Sequence, residues 1–388
     1  MSANNHNTYL ASKPRYEILD GLRGVAAIIV VIYHQLDLYG LAGPIGPMVN
    51  HGYLAVDFFF ILSGYVIGYA YDDRWDRMTL WSFFKRRLIR LHPMIIFATL
   101  LGVLFFFFGT SDMFPLIKDC SAWMLVVMAI LSILMIPTPR SLDIRGWDEF
   151  NAINGNIWSL FFEYIANILY ALIIRRCSKI VLAILVAVFG LLTANLALNI
   201  DIFGVLTDRT AQAYTMNGGW VLNAEHMLIG TTRLLFPFFA GLLLSRIGKK
   251  VNIRAGFWVT SLLLAAALIM PHVGGSKANV GNGIYELACI ILLFPLIVAI
   301  GAGSNVSGRS ARLCKFLGDI SYPLYLVNYP IVYTLLGGWV SRNPDAPLDQ
   351  TIVMNVMIFG FCIFMAYAAL KVYDEPTREW LKKKLFRK

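Results

Sequence analysis

Residues 18–34 read IleLeuAspGlyLeuArgGlyValAlaAlaIleIleValValIleTyrHis, and this stretch decides the fold. It is apolar enough for a membrane segment yet carries Asp20, Arg23 and His34. Arg23 and His34 are eleven residues apart, and Asp20 and His34 fourteen. At ~3.6 residues per turn these are about three and four helical turns, so all three share one face. That face hides them from lipid along ~20 Å of helix axis. Ionisable groups inside a membrane segment are costly and mark a pathway or a reactive site.

The rest of the chain extends this reading. It is 58% hydrophobic and only 14% charged, against about 25% charged in soluble domains. Its 388 residues suggest two or three soluble domains by length alone, but repeated apolar runs of span length overrule that prior. Eleven such runs lie near 20–40, 54–71, 91–109, 121–137, 157–174, 179–198, 227–245, 256–272, 284–301, 319–340 and 351–372. The fold class is therefore an all-α, polytopic transmembrane helix bundle. The polar residues 1–18 do not read as a signal peptide, so the first run is expected to remain as an anchor.

The net charge of +10 comes from basic residues beside the apolar runs. This is the pattern of positive-inside topology and contact with anionic membrane lipids. No basic module interleaved with aromatics points to nucleic acid. The five cysteines are scattered, and none of the six histidines is paired at ligand spacing, so no metal is expected. P-loop, dinucleotide and GxSxG motifs are absent from the sequence.

Loop charge also orients the chain. Lys85–Arg90, residues 175–179, Arg246–Arg254, Arg309–Lys315 and the basic C-terminus read as cytoplasmic. Both termini on one side require an even number of crossings, and eleven is odd. Segment 121–137, short at 17 residues, is expected to be re-entrant or interfacial. Ten crossings remain, with loops 40–53, 138–156, 199–226, 273–283 and 341–350 outside.

Five constellations carry candidate chemistry. His34 is a candidate general base, because neutral imidazole takes a proton from a hydroxyl at ordinary pH; Asp20 and Arg23 on its face favour that over simple packing. In 156–164, AsnIleTrpSerLeuPhePheGluTyr, the residues Asn156, Ser159 and Glu163 line one helical face, with Trp158 beside them. Glu163 is expected to orient or charge-balance His34, or to bind a substrate hydroxyl. Arg86, Arg87 and Arg90 open a span and suit phosphate recognition, although such a cluster also serves as a topology signal. Asp57 and Ser63 mark residues 52–65, where Gly64 permits close helix approach. Tyr322, Tyr325 and Asn328 line a segment loosened by Pro323 and Pro330. Arg233 either adds positive charge or partners a buried carboxylate.

Together these segments resemble the acyltransferase-3 family of integral-membrane acyltransferases. The resemblance rests on LeuAspGlyLeuArgGlyValAlaAla followed by TyrHis, ValAspPhePhePheIleLeuSerGlyTyr, ArgArgLeuIleArgLeuHisPro, TrpSerLeuPhePheGlu, ArgLeuLeuPheProPhePheAlaGly, IleSerTyrProLeuTyrLeu and TyrAspGluPro, in order from about residue 15 to 377. It implies transfer of an acyl group, often acetyl, from acetyl-CoA or another acyl-CoA to hydroxyls of a cell-surface saccharide or glycolipid. By the same resemblance His34 is catalytic, Glu163 is an active-site carboxylate, and Arg23, Arg86, Arg87 and Arg90 are donor-side residues; Asp20, on the His34 face, is expected to join the catalytic group. Asp57, Trp158, Ser159, Tyr322, Tyr325 and Asn328 are expected to contact substrate. Family members often carry histidine where this chain has Asn328.

The implied organisation is a cytoplasmic tail over 1–18, a transmembrane acyltransferase domain over 19–373 and a basic cytoplasmic tail over 374–388, in a bacterial inner membrane. A partner protein or membrane-bound acceptor would complete the reaction. The residues alone also admit a transporter or flippase for a lipid-linked or polar saccharide, which needs buried charge as well.

Overall fold

The structure, a computed structural model, describes residues 13–42, 49–109, 113–206 and 209–386. The N-terminal tail through residue 12 and positions 43–48 of the first expected outer loop lie outside the described residues. Helices match the eleven apolar segments one to one. They are α1 Glu17–Ala42, α2 Gly52–Tyr71, α3 Leu80–Phe108, α4 Ala122–Leu134, α5 Ile157–Leu172, α6 Lys179–Ala197, α7 Ala224–Ile247, α8 Gly256–Gly275, α9 Val280–Gly303, α10 over 308–342 and α11 Leu348–Leu385. Among the described residues, sheet pairing is confined to one bridge between Glu149 and Val221. The chain is an all-α polytopic bundle, and seven helices are long and apolar enough to cross a membrane: α2, α3, α6, α7, α8, α9 and α11.

Local signals explain where helices begin. Thr79 accepts the Ser82 N–H, Ser121 that of Met124, Ser178 that of Val181 and Asn223 that of His226. Each satisfies a backbone donor that the first helical turn leaves unpaired. Two glycines set the central packing of α2 on α7. A Cβ at Gly64 would lie 2.0 Å from the Phe238 carbonyl oxygen, and one at Gly241 2.0 Å from that of Ile61. Only glycine lets the two backbones approach this closely.

Contacts give each helix a direction. At one end Lys13 binds Asp73, Arg15 binds Asp319, and Arg246 binds Asp72 and the Cys177 carbonyl. At the other end the His51 N–H meets the Leu268 carbonyl, Asn282 meets that of Tyr214, and Asn355 meets Tyr39. The chain passes between these ends ten times, and its described termini share the first, basic end. α4 stands apart. At 13 residues it is the shortest of the eleven, ~20 Å long against the ~30 Å hydrocarbon core. Its flanks meet: Trp147 Nε1 donates to the Met113 carbonyl at 2.9 Å, and the Phe114 and Trp147 rings lie 4.8 Å apart. Cysteines replacing Leu116 and Ser141 in a cysteine-free background are therefore expected to react with an impermeant thiol reagent from the same side. Labelling from opposite sides would make α4 a true span.

Three wider, π-type turns interrupt the long helices at Cys289–Leu293, Val332–Leu336 and Ala369–Asp374. Each lies within two residues of a proline: Pro295, Pro330 or Pro376. Proline lacks the N–H and crowds the carbonyl four residues back, and the widened turns that precede Pro295 and Pro376 absorb both effects.

Candidate active site

α10 packs along α1 and brings Asn328 to His34. The Asn328 amide nitrogen donates to the carbonyls of Leu324 and Tyr325, at 2.8 and 2.7 Å. Its oxygen is thereby left facing His34 Nδ1 at 2.8 Å. An amide oxygen only accepts, so Nδ1 carries the imidazole proton and Nε2 keeps the lone pair. His34 lines a cavity of about 740 Å³ walled by Tyr33, Tyr329, Tyr333, Trp147, Trp158 and Trp220. A neutral imidazole with a free Nε2, opening on a chamber of aromatic faces, is equipped to accept a proton from a bound hydroxyl.

The same proline that bends α10 ties it to the loop before α5. Pro330 leaves the Leu326 carbonyl without its helical donor, and Asn154 Nδ2 supplies one at 2.8 Å. Asn156 Nδ2 donates to the Tyr325 carbonyl at 2.7 Å, and the Ser159 and Tyr325 hydroxyls meet at 2.7 Å. Asn328→Ala removes the group that fixes the imidazole tautomer. It is expected to lower turnover by roughly 10- to 100-fold with little change in substrate binding, measured as kcat against KM on purified protein.

Charged groups that the sequence reading did not select also face the cavity: Asp37, Glu149 and Lys277. Tyr329 donates its hydroxyl to Glu149 at 2.5–2.6 Å, and Arg145 Nη1 lies 3.7 Å away. Burial pushes the Glu149 carboxyl above its ordinary range, opposed by Arg145 and Tyr329. Burial likewise pushes the Lys277 ammonium down, opposed by Asp37 and Glu286. Asp37 was readable, three residues beyond His34 on the same face. Glu149 and Lys277 sit on loops and carry no periodic signal.

Below the cavity floor, Asp57 and Arg233 are fully buried and joined at 2.7 Å. Arg233 also donates to the carbonyls of Gly218 and Tyr53, at 2.9 and 2.5 Å. Asp57 is thus committed to this pair, while Arg233 itself borders the cavity. A second buried knot holds the wall residue Tyr53. Its hydroxyl donates to Glu286 at 2.6 Å, as do Asn282 Nδ2 at 2.6 Å and the Met216 N–H at 2.6 Å. His51 closes this knot, Nδ1 meeting the Met270 carbonyl at 2.7 Å and Nε2 the Asn282 oxygen at 2.9 Å.

A second centre lies at the basic end. Arg23 pairs with Asp20 at 3.2 Å, and Arg87 with Glu163 at 2.8 Å. Glu163 also accepts from Ser63 at 3.2 Å. The expectation that Glu163 orients His34 is replaced by this pairing, because the oxygen that meets His34 belongs to Asn328. The Arg86 guanidinium stacks 4.9 Å from the Phe386 ring. Arg90 faces Arg23 and Arg87, and no carboxylate lies within ion-pair distance of it among the described residues. Tyr322 donates to the Leu91 carbonyl at 2.7 Å. The structure thus gathers His34, Asn328, Tyr325 and Trp158 around the cavity, with Ser159 bonded to Tyr325. Asp20, Arg23, Arg86, Arg87, Arg90, Glu163 and Tyr322 fall at the basic end. No group of three or more potential metal ligands occurs among the described residues.

Comparison with known proteins places this geometry in context. The acyltransferase-domain family profile matches residues 16–371. Protein 2 in the picA locus of Rhizobium radiobacter is 32% identical over 167 residues, covering 40% of this chain and 81% of that protein. The O-acetyltransferase OatA of Staphylococcus aureus is 27% identical over 331 residues, covering 82% of this chain and 51% of OatA. The acyltransferase MdmB of Streptomyces mycarofaciens is 26% identical over 340 residues, covering 84% and 81%. This chain therefore spans about half the length of OatA. No solved structure matches.

Proposed function

We start from the premise that the chain belongs to the acyltransferase-3 family, and we propose that it moves an acyl group, acetyl in the first instance, from cytoplasmic acyl-CoA to a hydroxyl of a cell-surface saccharide or glycolipid. The observation that carries the reading is His34: its tautomer is fixed by Asn328, and it lines an aromatic-walled cavity. The names of the relatives, O-acetyltransferase and acyltransferase, point the same way.

In this reading the basic end faces the cytoplasm of a bacterial cell, following the positive-inside rule, and both termini lie there. Arg23, Arg86, Arg87 and Arg90 receive the donor's phosphates. Arg23 and His34 are eleven residues apart on α1, ~16 Å along the axis, a distance bridged by the linear arm that carries the thioester. The acceptor enters the cavity from the other side and stacks a sugar ring on its aromatic walls. His34 Nε2 takes the hydroxyl proton as the oxygen attacks the thioester carbonyl. A C–O bond forms, the C–S bond breaks, and the departing thiolate recovers the proton, leaving free CoA and an ester.

The test is mass spectrometry of surface glycans from cells with and without the gene, alongside purified protein supplied with radiolabelled acetyl-CoA. Loss of an ester-linked acyl group in the deletion, together with consumption of acetyl-CoA by the pure protein, is the expected result. Unchanged glycans combined with no donor turnover would overturn the reading.

A further inference from the structure

We propose that the end of α11 is a wall of the donor site, and that Arg378 is a ligand for the donor's phosphates, held in place by Asp374. The proposal rests on the donor reading above.

In sequence, residues 374–388 look like a solvated basic tail. The structure instead continues α11 through the widened turn Ala369–Asp374 to Leu385 and lays it against α3. The Phe97 and Tyr373 rings lie 5.4 Å apart. Lys85 Nζ donates to the Leu385 carbonyl at 3.4 Å, and the Phe386 ring covers Arg86 at 4.9 Å. The basic start of α3 and the end of α11 therefore form one surface.

Two i,i+4 ion pairs show how this helix end is oriented. Lys371 and Glu375 pair outward, each 43% exposed. Asp374 and Arg378 pair inward at 2.6 Å, with side chains 0% and 24% exposed. The inward pair lies within electrostatic range of Arg90 and Tyr322. Arg23, Arg87 and Arg378 thus all lie within electrostatic range of Arg90. Asp20, Glu163 and Asp374 balance these three, and Arg90 provides the surplus positive charge. Arg87 Nε and Arg378 Nε are buried and bond to nothing in the protein. Unused guanidinium donors around a net positive charge, drawn from three helices, suit a ligand with several anionic oxygens. A diphosphate is such a ligand. Asp374 sits behind Arg378, on the buried side, in ion-pair contact with it.

The experiment measures binding of coenzyme A and of pantetheine, which lacks the phosphates, to the full-length protein in phosphatidylcholine nanodiscs by calorimetry. Neutral-headgroup lipid is used so that anionic lipid does not occupy the same arginines; a repeat with phosphatidylglycerol separates the two phosphate sources. Arg378→Gln is expected to weaken coenzyme A binding by roughly 10- to 100-fold, as for one lost charge-assisted contact, and to leave pantetheine binding unchanged. Arg378→Lys, which keeps the charge without the fork, is expected to fall between. Thermal melting of each variant in the same discs checks its fold. Equal effects on both ligands, or no effect on coenzyme A where Arg90→Gln has one, would overturn the role of Arg378. Suppression of binding only by phosphatidylglycerol, with Arg378→Gln altering lipid rather than coenzyme affinity, would overturn it as well. If the unaltered protein binds no coenzyme A, the donor reading itself falls, and this proposal with it.

Discussion

His34→Ala is expected to lower acyl transfer by about 10²–10⁴-fold, the range for removal of a general base. The loss should appear in kcat with donor affinity retained, because Arg23, the proposed donor ligand on the same helix, lies some three turns away along α1. His34→Gln is the stricter test. Its amide N–H can still donate to Asn328 Oδ1, which now accepts from His34 Nδ1 at 2.8 Å, yet glutamine offers no basic nitrogen. If His34→Gln turns over near the normal rate on purified, folded protein, imidazole is not the base and the cavity chemistry must be assigned elsewhere.

Asp57→Ala is expected to be the most damaging substitution for stability. It strands the Arg233 guanidinium, which is fully buried and bonded to Asp57 at 2.7 Å. Removing one partner of a buried pair costs about 3–5 kcal/mol, because the remaining charge stays buried without its counter-ion. Replacing both residues, as Asp57→Leu with Arg233→Met, should cost less than Asp57→Ala alone, since no orphaned charge remains. Denaturation in detergent of the single and double variants measures the difference. A double variant less stable than Asp57→Ala would mean that the bonds from Arg233 to the Gly218 and Tyr53 carbonyls, not its charge pairing, dominate.

The bundle was legible in the sequence because lipid leaves few options. Backbone groups in hydrocarbon must bond internally, so each apolar run is a helix. Chain length and loop charge then single out α4 as the odd segment. The stripe on α1 was readable for the same reason: 3.6-residue spacing fixes which side chains share a face. Spacing does not name the partner across the interface. Glu163 was correctly placed on a polar face of α5, but whether it met His34 or Arg87 depended on how α5 rotates and rises against its neighbours. Arg233 shows the same limit, since its two readings differed only in what lay opposite. Glu149 and Lys277 were invisible because loop conformation, not periodicity, carries them to the cavity. Arg378 was hidden by composition, because a run of lysines beside it reads as solvated tail.

The bond between Asn154 and the Leu326 carbonyl joins residues 172 positions apart, and that between His34 and Asn328 joins residues 294 apart. During synthesis at roughly 5–20 residues per second, His34 leaves the ribosome about 15–60 s before the amide that fixes its protons. By the end of that interval nine helices have been made, with an imidazole of undefined tautomer and an asparagine awaiting its acceptor. The arrival of α10 settles both at once, since the segment that exposes the Leu326 carbonyl also carries Asn328. Competence is therefore acquired in a single late step of biogenesis. A nascent or truncated chain that ends before α10 would sit in the membrane without the amide that orients its imidazole.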